Sequence, residues 1–143
     1  MSWSIQACIL SEIQAYACGA YPQECCGMLL GNGEAQSVEA IYPAQNKSAE
    51  AYQGVQFLID PMELYRAEKA ADARGMQVVG IYHSHPDHPA CFSEKDETYM
   101  IPGLLYYIVS VAGGAIAEQK SYLKTDLCGT AVELQTDCES GGR

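Results

Sequence analysis

MQVVGIYHSHPDHPACFSEKD, Met76 to Asp96, is the stretch on which the reading of the whole chain turns. It opens as an apolar strand that ends in His83-Ser84-His85. The chain holds three histidines, and all three, His83, His85 and His88, fall within six residues. Alternate strand residues point to one face with Cα atoms about 6.6 Å apart, at a rise of about 3.3 Å per residue. His83 and His85 can therefore bring two imidazoles to one ion, although a surface His-x-His alone is a weak signal. The chain then passes Pro86 and Pro89 into a short helix expected from Ser93 to about Met100. Ser93 and Asp96, three apart, share a face of it; alone they read as an ordinary helix cap. Together the two imidazoles and the carboxylate make a three-ligand set. Zinc with three protein ligands keeps a fourth position for water, the catalytic arrangement rather than the structural one.

Working outward, the spacing predicts mostly strands, with two longer helices and one short one. Upstream, WSIQACI alternates as a strand and LSEIQAYACGAY reads as a helix, with Ser11 and Gln14 as a capping box. ECCGMLLG and AQSVEAIYPAQN form a hairpin about Asn32-Gly33-Glu34. Lys47 to Gly54 is a polar loop and VQFLI a strand. A second helix is marked by Asp60 at its cap, Pro61 at the first helical position, Glu63 in the first turn and Gly75 just past its end. Downstream, LLYYIVSVA and AIAEQKSYL pair about Gly113-Gly114, and TAVEL is a last strand. This pattern predicts an α+β domain: a curved, mostly antiparallel sheet flanked by two longer helices and one short one. The domain is expected over residues 1–135, with a flexible polar tail over 136–143.

Bulk composition narrows the chemistry. The 143 residues are 48% hydrophobic and 18% charged, which suits one domain with a real core. A net charge of -10, with eight Lys and Arg, argues against nucleic acid as a partner. GLLYYIVSVAGGAIA is too short and too broken by glycine to span a bilayer. The first residues lack a basic segment before an apolar one, so a cytoplasmic protein without a signal peptide is expected. Seven cysteines, Cys8, Cys18, Cys25, Cys26, Cys91, Cys128 and Cys138, include no Cys-x-x-Cys pair. They are expected to be reduced, and most to be small core residues.

With these residues in view, the chain resembles the JAMM (MPN-plus) metalloproteases. Their signature is an upstream Glu, then His-Ser/Thr-His-Pro, seven residues, and Ser-x-x-Asp. Here it reads Glu24, His83-Ser84-His85-Pro86, residues 86–92 between His85 and Ser93, and Ser93-Glu94-Lys95-Asp96. Glu24 stands in YPQECCGMLLG, just before a Gly-containing apolar strand. The resemblance implies that His83, His85 and Asp96 hold zinc. It implies that Glu24 takes the proton from water and delivers it to the leaving amine, and that Ser93 hydrogen-bonds the oxyanion. His88 is read as a rim residue, Cys91 as a loop thiol, Cys25 as a core residue or one that supports the site from behind, and Ser84 as packing on the face opposite the histidines.

Family members cut amide or isopeptide bonds after the C-terminal Gly-Gly of ubiquitin or ubiquitin-like proteins. The short chain leaves no room for ubiquitin-gripping insertions. The expected substrate is accordingly a ubiquitin-like sulfur-carrier protein from which cysteine or a short extension is released. The alternatives are a non-catalytic MPN scaffold and a zinc hydrolase of the same fold with another substrate. Scaffolds of that kind usually lack the ligand set that this chain keeps.

Overall fold

The computed structural model describes residues 3–44, 61–91, 101–124, 131–134 and 136–139. Among them are eight strands: β1 (Trp3–Gln6), β2 (Cys26–Asn32), β3 (Ser37–Ala44), β4 (Gln77–Pro86), β5 (Leu105–Ala112), β6 (Ala115–Lys124), β7 (Ala131–Leu134) and β8 (Thr136–Glu139). Two helices accompany them, α1 (Ala7–Ala20) and α2 (Pro61–Ala73). The strands form one sheet in the order β7-β6-β5-β4-β2-β3-β1-β8. Four of its seven pairings are antiparallel; β1 with β3, β1 with β8, and β4 with β5 are parallel.

The two faces of the sheet have separate cores. Ile9, Ile13 and Ala17, one stripe of α1, pack with Trp3, Ile5, Leu29, Val38, Tyr82 and the odd-numbered residues of β5 from Leu105 to Val111. Ala67 and Ala71 of α2 pack on Met28, Leu30 and Ala40 of the opposite face. Beside them lie Ile81, Ala90, Tyr106, Ile108 and Tyr122. β5 is buried on both faces, which explains its near-continuous apolar run LYYIVSVA.

A register shift between Leu29 and Leu30 gives β4 an extra residue opposite β2. Such a bulge reverses the in–out order along the strand. Val78 accordingly packs on the α2 side while Val79 packs on the α1 side. Beyond the bulge the alternation is regular: Ile81 faces one core and Tyr82 the other. His83 and His85 share the parity of Ile81, and Ser84 that of Tyr82. The ring of Tyr82 lies so close over its pair partner Gly27 that a Cβ there would meet Cε2 at 2.4 Å, so any larger residue would have to displace the ring.

Several local expectations change. α1 begins at Ala7, with Gln6 as an N-cap that makes no side-chain cap bond. The Ser11–Gln14 capping box does not form, because the apolar stripe extends back to Ile9 and packing carries the helix past Ser11. Gln14 instead donates to Gln119 Oε1 at 3.2 Å. The turn between β2 and β3 runs over Gly33–Gln36, with Asn32 Oδ1 accepting from Ala35 N at 2.9 Å and Gln36 at φ 55°. The β5–β6 hairpin does turn at Gly113 and Gly114, at φ 59° and 91°. β8 occupies the first four residues of the stretch expected as a tail and pairs in parallel with β1. The strand expected over 55–59, the cap Asp60 and the short helix over 93–100 lie outside the described residues.

Candidate metal centre

β2 and β4 lie in the middle of the sheet, and the site forms where they begin and end. Their antiparallel pairing closes at Cys26 opposite His83. This brings Glu24, two residues before β2's first pair partner is passed, to the end of β4 that carries the histidines. Glu24 Oε1 is 3.9 Å from His83 Nδ1, and both side chains are buried, with residue exposures of 5% and 3%. The His83 and His85 rings lie 4.9 Å apart, edge to face at 66°. One ligand atom from each of Glu24, His83 and His85 falls within 4.8 Å of the others.

His85 is held by the loop that follows it. Its Nδ1 lies 2.8 Å from the carbonyl oxygen of Pro89. A carbonyl only accepts, so neutral His85 carries its proton on Nδ1 and turns the lone pair of Nε2 outward as a ligand. The loop is itself pinned group by group. Asp87 N donates to Val111 O, and Gly113 N donates to Asp87 Oδ1 at 2.9 Å. Tyr21 Oη donates to Asp87 Oδ2 at 2.7 Å, and Ser110 Oγ donates to the His88 carbonyl. Ala90 N donates to Glu118 Oε1 at 2.7 Å, and Tyr122 Oη donates to Ala90 O at 2.9 Å. The Gly113 amide and then the Tyr21 hydroxyl hold the Asp87 carboxyl below its ordinary value.

Two imidazoles in a buried recess, with a carboxylate beside them, suit zinc, a borderline ion that takes nitrogen and oxygen donors. The neighbouring thiols do not compete as ready thiolates. Burial pushes the Cys26 thiol up to about 12 and raises that of Cys25. Cys91 is exposed, as is His88, in line with their reading as loop and rim residues.

His83, His85 and Glu24 are thus brought together. Ser93 and Asp96 lie outside the described residues, on the β4–β5 connection. Parallel neighbours need a long crossover, and this one leaves β4 from the histidine end. The expectation that Ser84 merely packs needs correcting, because its hydroxyl accepts from Cys25 N at 2.8 Å. The signal for this was a polar residue at a parity that the rest of β4 and β5 fills with apolar core. Tyr21 and Asp87 gave no such signal.

The family model for prokaryotic homologues of the JAB domain matches residues 6–122. A desampylase of Haloferax volcanii is 37% identical over 112 residues, spanning 78% of this chain and 79% of that protein. A probable TtuB-protein conjugate cleaving protease of Thermus thermophilus is 34% identical over 88 residues, 62% of this chain and 56% of that protein. A Desulfitobacterium hafniense protein solved in solution superposes with a TM-score of 0.82 at 28% identity, covering 96% of this chain and 92% of that one.

Proposed function

The chain belongs to the prokaryotic homologues of the JAB domain, and on that premise we propose that it is a zinc-dependent peptidase that hydrolyses an amide or isopeptide bond next to the C-terminal Gly-Gly of a ubiquitin-like protein. The observation that carries this reading is the buried meeting of Glu24, His83 and His85, with ligand atoms within 4.8 Å of one another. His83 and His85 would hold zinc, with Asp96 as the third protein ligand. A zinc ion held there would supply Lewis-acid chemistry.

The chain's own residues do the rest. The Glu24 carboxylate takes the proton released by the attacking water and passes it to the departing amine. The Ser93 hydroxyl donates to the oxygen of the scissile carbonyl as negative charge gathers on it. The Pro89 carbonyl keeps His85 in the tautomer that presents Nε2. The substrate class is supported by the two relatives, whose names describe a desampylase and a cleaver of TtuB-protein conjugates.

Within that class the proposed substrate is a sulfur-carrier protein bearing an amide-linked cysteine or a short extension after Gly-Gly. Its extended tail would lie along a strand edge beside the zinc, aligned by main-chain hydrogen bonds. Glycine lets the backbone approach closely because it has no Cβ. Mass spectrometry on such carriers tests the proposal. Wild-type carrier is trimmed back to Gly-Gly by protein holding about one zinc per chain, and a Gly→Val change beside the cut bond blocks trimming. Equal cleavage of the valine carrier overturns the Gly-Gly specificity. A folded protein that takes up no zinc overturns the enzyme reading.

A further inference from the structure

Ser84 stands between the two histidines in sequence but on the other side of the sheet. It is 1% exposed and shares the strand parity of Tyr82, which packs in the α1 core. Its main-chain N donates to Cys25 O at 3.0 Å, and its Oγ accepts from Cys25 N at 2.8 Å. One residue of β4 therefore takes both backbone polar groups of Cys25, just beyond the last regular pair, Cys26 with His83. In an ordinary antiparallel pair the second acceptor would be a main-chain carbonyl; here a side-chain hydroxyl serves instead. The N–H it holds belongs to the Glu24–Cys25 peptide. The plane of that peptide sets the direction in which the Glu24 Cα–Cβ bond leaves the chain.

We propose that Ser84 is a positioning residue for the proton transfer: by holding the Glu24–Cys25 peptide it fixes the Glu24 carboxylate against His83. This rests on the reading of Glu24 as the proton carrier. The same residue spaces His83 from His85, so the metal-holding pair and the carboxylate share one backbone anchor. Covalent neighbours set the spacing of the histidines. A hydrogen bond across 59 residues of chain anchors the peptide from which the carboxylate springs. Its loss leaves a part-buried N–H without an acceptor, and the Glu24 segment moves to find one. A shift well under 1 Å is enough to spoil a proton transfer that needs heavy atoms within about 2.6–3.2 Å.

The experiment compares S84A, S84T and S84C with wild type in amide hydrogen exchange, zinc content and turnover. In 15N-labelled, metal-free protein the Cys25 amide is protected. S84A speeds its exchange by about tenfold or more, S84T restores protection, and S84C, with a sulfur that accepts poorly, falls between. All three variants bind zinc at wild-type stoichiometry. S84A lowers kcat on the order of tenfold, the worth of about one hydrogen bond, with KM nearly unchanged, and S84T recovers most of it. In an E24Q background S84A adds no further loss, because the group it positions is gone. Unchanged Cys25 exchange in S84A and S84C overturns the proposal. So does loss of zinc, or an equal kcat factor in the E24Q background. A fully active E24Q protein would instead overturn the role of Glu24 itself, while the Cys25 exchange still reports whether Ser84 holds that peptide.

Discussion

The paired strands β2 and β4 are held in two different ways at their two ends. Around Met28, Leu29 and Leu30, and around Val79 and Ile81, they are fixed by burial between α1 and α2. At Cys25, His85 and the loop to Ala90 the chain is held by individual hydrogen bonds, each with a named donor and acceptor. Burial is non-directional and spreads over many contacts. It resists unfolding but does not aim a side chain to a fraction of an ångström. Hydrogen bonds add less to stability apiece, yet they set direction. The protein therefore separates its stability from its aim along the same two strands, and substitutions at the two ends should fail differently.

The largest effect tests the aimed end. Glu24→Gln keeps shape and volume but removes the proton acceptor. Turnover on a Gly-Gly-extended carrier should fall by about 10²–10⁴, the usual worth of a positioned general base, while zinc content and thermal midpoint stay close to wild type. A Glu24→Gln protein that has lost its zinc would place Glu24 among the ligands rather than beside them. Next comes the buried end. Leu29 is fully buried against α1, and Leu29→Ala should cost about 2–5 kcal/mol of unfolding free energy in denaturant titration. The folded fraction should keep its kcat. If Leu29→Ala lowers kcat as strongly as it lowers stability, the two ends are not independent.

How far each end could be read from the sequence follows from the same division. The histidine pair was legible because strand alternation is local: His83, Ser84 and His85 must point to alternate faces whatever surrounds them. The two helices and the Gly113-Gly114 hairpin were legible for a like reason, since their signals lie within a few residues. The bulge opposite Leu29 and Leu30 was not, because it depends on how two strands some fifty residues apart fit together. β8 was hidden because its residues, TDCE, have no apolar alternation; its strand conformation comes from pairing with the edge of β1. Ser11 misled because a good cap residue lost to the packing of Ile9 and Ile13. Ser84 looked inert because the amide it holds is remote in sequence. Glu24 was reached only through the family signature, since nothing local joins it to His83.

The smallest effect probes whether exposure grades the hydrogen bonds of the aimed end. The segment that carries Glu24 has two anchors. Downstream, Ser84 holds Cys25 from inside the sheet. Upstream, Tyr21 Oη donates to Asp87 Oδ2, and Gly113 N donates to the other carboxylate oxygen, so one exposed side chain ties the α1–β2 turn to the β4 loop and the β5–β6 hairpin. Water replaces a bond at the surface more readily than one to a buried hydroxyl such as that of Ser84. Tyr21→Phe removes only the phenol oxygen and leaves the Gly113 bond in place. It should lower kcat by no more than a few-fold, leave zinc content unchanged and leave the Cys25 amide protected, because Ser84 still holds it. Side by side with S84A, the two variants then rank the anchors by burial. If Tyr21→Phe matches or exceeds S84A in kcat, with Cys25 exchange unchanged, the carboxylate is aimed from the surface turn rather than from within the sheet.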